Sequence, residues 1–413
     1  MFDTLTRLGS SAASDYEIER SLRFNDDDSA YLNRTPSSNG NKQIWTFSVW
    51  IKHTHISAGT AKTFFSAGSN NPDTIIKFDS DRFEISRYYN VEGGYTSRVT
   101  STRVLRDPSA WYHLVGAVDT TQSTASNRVK LYVNGTQVTD FDNSNYPAQN
   151  FNYELNSTSY PTYIGRHPGG QYFDGYITEF NFVDGQQLTP ASFAETNADT
   201  GQWVPKKYSG SYGTNGFFLN FSDNSGTSAT TLGKDSSGNS NNFTPSNFSV
   251  TAGKDDDSML DTPTNNFPTL NTGDRSLVGT ISNGALRVSY NYKPASKTWR
   301  ATMALPATGK FYWEWENEEA SSHPGRWNTG LVRYTNETGV LDHQGYNDAD
   351  YFSVSYGGSM WNGTTHINPS WGSYPTFYSG ERVAIAIDCS NGKTWVGKVA
   401  SGGGTTWYDD DGT

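Results

Sequence analysis

The sequence reads Val129-Lys130-Leu131-Tyr132-Val133-Asn134-Gly135, a short strand-like segment that ends in an Asn-Gly dipeptide. Apolar and polar side chains alternate at the start of the segment, as they do in a strand whose two faces differ. Type I′ turns prefer Asn-Gly, because both central positions of such a turn need a positive φ. The segment therefore predicts a strand that turns back on itself as an antiparallel hairpin.

Similar strand-like runs recur on both sides of this hairpin. They are Ser21–Phe24, Thr46–Ile51, Phe64–Ser66, Thr74–Phe78, Phe83–Ser86, Trp111–Val118 and Gly175–Phe182. The composition agrees, since the 413 residues are 14% aromatic and include 40 glycines and 16 prolines. Short aromatic strands between glycine-rich turns are typical of β-sandwiches and barrels. We therefore predict an all-β protein.

Charge and hydropathy exclude several classes of function. Lysine and arginine number 31 and aspartate and glutamate 42, so the formal net charge is −11. An acidic surface repels phosphate backbones, so we expect no nucleic acid partner. No apolar run reaches the roughly 18 residues of a membrane helix, so we expect no membrane insertion. The single cysteine, Cys389, excludes an intrachain disulfide, and we expect it to be a reduced and largely buried thiol.

Shifts in composition divide the chain into four parts. They are an N-terminal arm at 1–16, a first β domain at 17–203, a connector at 204–275 and a second β domain at 276–413. The connector is rich in Gly, Ser and Asn and is longer than ordinary loops. We expect it to be ordered, mostly irregular, and to pack a strand or two on its neighbours. The sequence stops at Thr413 without a closing strand, which predicts either a fragment or an edge that another copy or a partner covers.

The first domain resembles the laminin-G-like, concanavalin A-like jelly roll. The residues that carry the resemblance are Phe47–Ile51, Trp111–Val115, Arg128–Gly135 and Phe173–Phe180. The resemblance implies an antiparallel β-sandwich. Members of this family usually carry an acidic residue where this chain has Thr178, so the resemblance does not carry a calcium ligand over to that position.

The second domain is similar to a SPRY domain. The matching residues are Gly309–Glu316, Asn328–Val332, Glu381–Asp388 and Thr394–Gly397. Two such modules behind the start Phe2–Arg7 resemble virion proteins of tailed bacteriophages, marine ones in particular. The resemblance implies two antiparallel β-sandwich (jelly-roll) domains on the surface of a virion, in a tail fibre, a surface fibre or a decoration of the head or tail.

The N-terminal arm predicts how such a protein is attached. Phe2, Leu5 and Leu8 recur at three-residue spacing, which places them near one face of a short helix. Three side chains are too few to stabilise a helix, so the arm is either a frayed terminus or a segment that orders when it docks on another virion protein. The resemblance also implies a homo-oligomer, most simply a trimer.

Candidate ligand-binding residues lie in turn-rich stretches, because the loops of a rigid sandwich are where binding side chains collect. Exposed aromatic rings beside amides and charged groups suit a sugar, which has an apolar ring face and a hydroxyl rim. The candidates are Arg166, His167, Gln171, Tyr172, Arg326, Trp327, Trp361 and Trp371. For Trp361 and Trp371, packing in a core or between domains is an equal alternative.

The most enzyme-like feature is a row of glutamates on one predicted strand. Glu314, Glu316 and Glu318 alternate with other residues, so neighbours in the row lie about 6.6 Å apart. That spacing is near the carboxylate separations of glycosidases. Trp313 and Trp315 occupy the opposite face, so the simpler interpretation is a buried aromatic face and a solvated acidic face.

Two patterns raise the question of a metal ion. His53 and His55 could share one strand face, but two ligands do not make a structural zinc site. Acidic triplets begin at Asp26, Asp255 and Asp409, and each could offer oxygen ligands to calcium. None of the triplets has the spacing of a known calcium loop. We therefore expect solvated turns and no cofactor, with calcium as the open alternative.

Together these observations predict a non-enzymatic virion protein that contacts the host surface, a glycan or a protein, through loops of its sandwiches. Two alternatives stay open. The chain could be a purely structural decoration or fibre-shaft protein, or a polysaccharide depolymerase that uses the glutamate row. A binder retains a surface polysaccharide, a depolymerase shortens it, and a decoration protein does neither.

Overall fold

The computed structural model describes residues 16–56, 59, 61–253, 255–273, 279–289, 299–316, 318, 328–332, 351–355, 360–362, 365–367, 380–400 and 403–408. These residues fall into two compact units. The first unit takes in those within Gly9–Arg275 and Thr280–Ser289, and the second takes in those within Ser276–Gly279 and Tyr290–Thr413. Strands dominate both units, so the all-β prediction is confirmed.

The strands of the first unit are short and follow one another closely. They are β1 (Ser21–Phe24), β2 (Tyr31–Arg34), β3 (Ile44–His53), β4 (Ala61–Gly68), β5 (Asp73–Asp79), β6 (Arg82–Tyr89), β7 (Gly94–Val104), β8 (Trp111–Asp119), β9 (Val129–Val133), β10 (Thr136–Gln137), β11 (Phe141–Asn145), β12 (Thr162–Ile164), β13 (Gly175–Asp184), β14 (Ala194–Thr196), β15 (Trp203–Pro205), β16 (Phe217–Leu219), β17 (Thr244–Ser246), β18 (Ser258–Met259), β19 (Thr280–Ser282) and β20 (Arg287–Ser289). Single 3-10 turns lie at Asn90–Glu92, Ala125–Asn127 and Pro190–Ser192.

Two antiparallel eight-stranded sheets enclose the core of the first unit. The first sheet runs β10-β9-β8-β3-β13-β1-β18, with β16 also paired to β13, and the second runs β11-β7-β6-β5-β4-β12-β2-β17. Phe47 on the first sheet meets Phe64 and Phe83 on the second, with ring centroids 6.1 and 6.2 Å apart. The first unit is therefore an antiparallel β-sandwich.

Side-chain alternation sets which residues enter this core. Phe47, Val49 and Ile51 of β3 point into it, and the register places Gly116 of β8 directly opposite Phe47. A Cβ added at Gly116 would overlap the Phe47 ring. The absence of a side chain at Gly116 is thus what makes room for the phenylalanine.

Strands β3 and β8 are buried on both faces, whereas their alternating pattern predicts one face in water. On the side away from the core, Trp50 and Trp111 pack with Trp203 of β15 and Met259 of β18. These covering residues come from segments far along the chain. The local alternation therefore identifies the strands but not the third layer that covers them.

The predicted connector is ordered and joins the sandwich. Its strands β16, β17 and β18 pair with β13, β2 and β1. Phe217 of β16 stacks on Phe182 at 5.4 Å, and its ring meets that of Phe243 at 4.7 Å. Asp235 holds the irregular part, because its carboxylate accepts the backbone N–H groups of Phe218 and Asn241 at 2.8 Å each. The boundaries at residues 16, 203 and 275 stay predictions.

The second unit contributes two antiparallel four-stranded sheets. Its strands are β21 (Lys310–Glu316), β22 (Asn328–Val332), β23 (Tyr351–Ser355), β24 (Met360–Asn362), β25 (Thr365–Ile367), β26 (Arg382–Asp388), β27 (Lys393–Val399) and β28 (Thr405–Tyr408). They are ordered β21-β26-β27-β28 and β22-β23-β24-β25. Val354 of the second sheet packs with Val383 and Ile385 of the first, so residues of both sheets share one small core.

Two local predictions have opposite outcomes. Asn134 and Gly135 have φ values of 48° and 79° and connect β9 to β10, so the predicted hairpin is confirmed. Cys389 is a free cysteine, but it lies half-buried in the turn after β26, so the prediction of a largely buried thiol is wrong. The thiol comes one residue after the strand ends, where the alternation that buries Ile385 no longer applies.

Candidate functional site

The loop that follows β12 carries four of the predicted ligand-binding residues. Arg166 and Tyr172 pair across its base as an isolated β-bridge. The backbone N–H of His167 donates to the carbonyl oxygen of Gln171 at 3.1 Å, which closes the loop. Gly165 enters the loop with a φ of 88°, and an added Cβ there would overlap the ring of Phe24. A glycine is therefore needed where the chain leaves β12.

Arg166 lies among three tyrosine rings on the surface of the second sheet. Its guanidinium carbon is 4.6 Å from the ring centroid of Tyr31, 4.9 Å from that of Tyr163 and 5.5 Å from that of Tyr172. All four side chains are half-buried. We call this group, Tyr31, Tyr163, Arg166 and Tyr172, the tyrosine–arginine platform.

The loop backbone holds the guanidinium of the platform in place. Arg166 Nη2 donates to the carbonyl oxygen of Pro168 at 3.0 Å, and Nε donates to that of His167 at 3.3 Å. Cation–π contacts with tyrosine faces add to these hydrogen bonds. Gln171 is exposed beside the platform, and its Oε1 accepts the hydroxyl of Thr63 at 3.3 Å. The platform is thus pre-formed.

His167 has a structural place inside the loop. Its Nδ1 accepts the backbone N–H of Gly169 at 3.0 Å, so its Nε2 carries the proton and faces Asp73 Oδ2 at 3.2 Å. The His167 side chain is 11% exposed. His167 therefore supports the loop conformation, while Arg166 and Tyr172 form the surface.

The sequence missed Tyr31 and Tyr163, which complete the platform. Tyr163 lies on β12 opposite Asn33 of β2, and Tyr31 is two residues from Asn33 on the same face. The two rings come within 6.1 Å of each other. Only the pairing of β2 with β12, which are more than a hundred residues apart in the sequence, reveals this neighbourhood.

The Tyr163 hydroxyl stays protonated at neutral pH. Burial raises the pKa of Tyr163 above its ordinary value, and the nearby Arg166 guanidinium opposes this shift only in part. The platform can therefore offer aromatic faces, hydroxyl donors and acceptors, and one fixed positive charge. A sugar with an apolar ring face and polar rim matches this set of groups.

The remaining candidate binding residues fall mostly outside the described residues. The candidates outside the described residues are Arg326, Trp327 and Trp371. The same holds for the three apolar residues of the arm, Phe2, Leu5 and Leu8. Trp361 lies on β24, where the register pairs it with Ser353 and His366.

The glutamate row has the geometry of a solvated strand face. Trp313 and Trp315 of β21 pack against the core of the second unit, while Glu314 is on the outer face. Arg382 Nη1 donates to Glu314 Oε2 at 2.6 Å, and the hydroxyl of Tyr312 donates to Glu314 Oε1. Glu316 is half-buried and Glu318 is exposed. Glu314 is thus neutralised by a cation rather than paired with a second carboxylic acid.

The predicted metal-binding patterns have other partners. His53 is buried, stacks on Phe78 at 4.3 Å and faces Asp81 at 3.3 Å, while His55 lies beyond the end of β3. The pair therefore does not share a strand face as the spacing suggested. Among the residues that the structure describes, no three histidine, cysteine or acidic side chains gather as a metal site.

Two of the acidic triplets contribute to ion pairs. Asp26 pairs with Lys62, and Asp257 accepts two hydrogen bonds from the Arg23 guanidinium at 3.1 and 3.0 Å. Asp409–Asp411 lie outside the described residues. The hydroxyl of Thr178 donates to the carbonyl oxygen of Arg20 at 2.8 Å.

No helix within the described ranges is both long and apolar enough to cross a bilayer.

Comparison with known proteins identifies the class of the first sandwich. Residues 25–194 match the family model of the concanavalin A-like lectin/glucanases superfamily. Residues 25–194 of the first sandwich are therefore similar to a concanavalin A-like, laminin G-like domain. A search of the curated proteins found no match.

Several solved structures are similar to parts of the chain. One is a Bacteroides ovatus protein described as carbohydrate-binding, at 15% identity and a TM-score of 0.34, covering 56% of this chain and 58% of that one. Another is a heptameric pentraxin of Limulus polyphemus, at 16% identity and a TM-score of 0.32. The match covers 46% of this chain and 94% of the pentraxin chain. A third is domain 4 of an extracellular arabinanase of Geobacillus stearothermophilus in complex with arabinotriose, at 17% identity and a TM-score of 0.31. The match covers 43% of this chain and 76% of that domain's chain.

Proposed function

We propose that the protein is a non-enzymatic carbohydrate-binding protein whose tyrosine–arginine platform holds a glycan of the host surface. The observation that carries the proposal is the Arg166 guanidinium, held by loop carbonyls among three tyrosine rings. The lectin/glucanase family match of residues 25–194 supports the same class of ligand.

The platform would bind a sugar by stacking and hydrogen bonding together. The C–H face of a sugar ring packs on a tyrosine face, and aromatic side chains of this size dominate such contacts. The Arg166 N–H groups and the exposed Gln171 amide donate to ring hydroxyls. Because the platform is ordered before binding, little conformational entropy is lost when the ligand docks.

Catalysis is not part of the proposal. A glycosidase needs one carboxylic acid and one carboxylate flanking the scissile bond. The Glu314 carboxylate is instead held by the Arg382 guanidinium and the Tyr312 hydroxyl. The depolymerase alternative would require shortening of a surface polysaccharide by the purified protein, and we expect its chain length to stay unchanged.

Retention on immobilised bacterial surface polysaccharides tests the binding proposal. Tyr172→Ala removes one ring of the platform, and we expect about tenfold weaker retention with unchanged thermal unfolding. Tyr88→Ala is a matched control, since Tyr88 is a half-buried tyrosine on β6 of the same sheet. Retention that Tyr172→Ala and Arg166→Ala leave unchanged would show that the platform is not the site.

We also propose that the protein is displayed on a bacteriophage virion, with a SPRY-like second module and the arm as its attachment. The support is the resemblance of the two modules and of the start Phe2–Arg7. Deleting residues 1–15, which keeps Tyr16 and its hydrogen bond to Glu179, should leave thermal unfolding unchanged but remove the protein from purified particles. Incorporation of the truncated chain at normal copy number would place the attachment surface on a sandwich instead. A particle protein that fails to retain any polysaccharide would favour the decoration alternative.

A further inference from the structure

A cleft opens on the outer face of the first sheet, away from the core and away from the platform. Its volume is about 240 Å³, and the residues around it include Trp50, Trp111, Asn134, Gln202, Trp203 and Thr264. We call it the tryptophan cleft. It lies entirely within the first unit and shares no residue with the platform.

Three elements bring the tryptophans together. Trp50 lies on β3 and Trp111 on the neighbouring β8, where the register places them diagonally on one face. Trp203 comes from β15, which pairs with β14 in a separate two-stranded ribbon over this face. The sheet therefore supplies two of the rings and the ribbon supplies the third.

A buried histidine positions Trp203. The indole Nε1–H of Trp203 donates to Nδ1 of His113 at 3.0 Å, so Nε2 of His113 carries the proton and donates to the Ser48 hydroxyl at 2.8 Å. The imidazole also stacks on Trp50 with centroids 4.9 Å apart. Burial lowers the pKa of His113 to about 3, so the ring is neutral and Nδ1 is an acceptor across ordinary pH.

A buried ion pair positions Trp111 in the same way. The indole Nε1–H of Trp111 donates to Asp261 Oδ1 at 3.0 Å, and Asp261 Oδ2 accepts Lys52 Nζ at 2.8 Å. Both N–H groups are thus used by partners inside the protein. What these two indoles offer to a ligand is therefore their carbon surface.

Polar groups stand at the rim of the cleft. The side-chain oxygen of Asn134 accepts the backbone N–H of His113 at 2.8 Å, which points to its amide NH₂ as the group that can donate to a ligand. Gln202 is exposed and can donate and accept. None of the described residues that line the cleft carries a charge.

We propose that the tryptophan cleft is a second binding site, which takes a single neutral pyranose ring. Carbon surfaces of fixed indoles match the apolar face of such a ring, and the two rim amides match its hydroxyl groups. The volume is below the roughly 300–1,000 Å³ of clefts for drug-sized ligands, which favours one ring over an extended chain. A lining without charge favours a neutral sugar over an acidic one, because an unpaired charge is costly to desolvate.

Titration with methyl glycosides of glucose, galactose, mannose and N-acetylglucosamine tests the site, with intrinsic tryptophan fluorescence and chemical-shift changes of the indole N–H groups as readouts. Methyl glucuronide is the charged comparison. We expect saturable changes with at least one neutral glycoside at millimolar concentration and weaker changes with the glucuronide. No saturable change with any of the neutral glycosides would overturn the proposal.

Three variants test whether the fluorescence and chemical-shift changes come from the tryptophan cleft. Gln202→Trp adds a bulky ring at an exposed rim position and should block the cleft without removing a buried contact, weakening binding about tenfold or more. Trp203→Ala should weaken it at least as much. Tyr172→Ala should leave it unchanged, which separates this site from the platform. Saturable binding that survives both cleft variants would overturn the proposal, whether or not the platform binds glycan.

Discussion

Glu179 is a buried carboxyl group in the middle of a sheet. It lies on β13 with a φ of 51°, next to the irregularity where the register between β13 and β3 shifts. The hydroxyl of Tyr16 donates to its Oε2 at 2.8 Å. Burial is the largest influence on this group and raises its pKa to about 7. Burial also raises the pKa of Asp174, the residue just before this strand, to about 7.

These two carboxyl groups predict how stability depends on pH. Their folded pKa values lie above the unfolded ones, so between about pH 4 and pH 7 the folded state holds protons that the unfolded state has lost. The contribution of these two groups to the free energy of unfolding should therefore fall as pH rises through this window, while His113, whose folded pKa is lowered, contributes in the opposite direction. Urea unfolding at pH 5 and pH 8 measures it.

Glu179→Gln removes one of the two titrations and keeps an acceptor for Tyr16. We expect the change in the free energy of unfolding from pH 5 to pH 8 to be more positive in this variant than in the native chain, and Asp174→Asn to behave likewise. If both variants keep the native pH slope, the two groups are not buried as carboxyls.

Gly116 lies in the core at a position that leaves no room for a side chain. Its missing Cβ leaves room for the ring of Phe47, so Gly116→Ala should destabilise the first unit by about 1–3 kcal/mol through overpacking. Gly226→Ala is the matched control, because its added Cβ meets nothing closer than 3.5 Å. Equal midpoints of urea unfolding for the two variants would contradict this packing.

At the scale of elements, the sequence predicted what is local and missed what is distant. The strands and the Asn134-Gly135 hairpin follow from alternation and turn chemistry, which depend on neighbours in the chain. The burial of both faces of β3 and β8 does not, because its cause is packing by β15 and β18. The same limit explains the site: Arg166 and Tyr172 are close in the sequence, whereas Tyr31 is brought to them by strand pairing.

The irregular segment between β16 and β17 depends on one carboxylate. Asp235 accepts the backbone N–H groups of Phe218, Ser237 and Asn241. Asp235→Ala would leave the buried N–H of Phe218 without this partner, at a cost of about 1–3 kcal/mol. We expect faster hydrogen exchange at the Phe218 amide.

Asp223→Ala is the control for this element, since the half-buried Asp223 accepts hydrogen bonds from the backbone N–H and the hydroxyl of its neighbour Ser225 and not from the Phe218 amide. It should leave the Phe218 amide protected. Loss of protection in both variants would show that the whole segment loosens. Protection that persists in Asp235→Ala would show that the Asp235 carboxylate does not hold the Phe218 amide.

In the whole molecule, the first β unit matches a known family model over part of its length, whereas this match does not extend to the second. The first is a β-sandwich whose residues 25–194 match the concanavalin A-like family model, in agreement with the sequence resemblance. The second has eight described strands in two sheets, and its SPRY-like assignment stays a proposal. The sequence could not separate core from surface for Trp361 or Trp371, because aromatic residues serve both roles.

The net charge of −11 keeps free copies apart, yet we propose a homo-oligomer, most simply a trimer. Cyclic symmetry would give every copy the same contacts and present several glycan sites at once. Sedimentation equilibrium should give a mass near three times 45.6 kDa. A stable monomer at micromolar concentration would remove the trimer without affecting the platform.

A crystal structure of the protein with an oligosaccharide that it retains tests the central claim most directly. We expect a sugar ring against the tyrosine–arginine platform, with ring carbons on Tyr163 or Tyr172 and hydroxyl groups within hydrogen-bond distance of Arg166 or Gln171. A bound oligosaccharide that makes no contact with the platform would contradict the account.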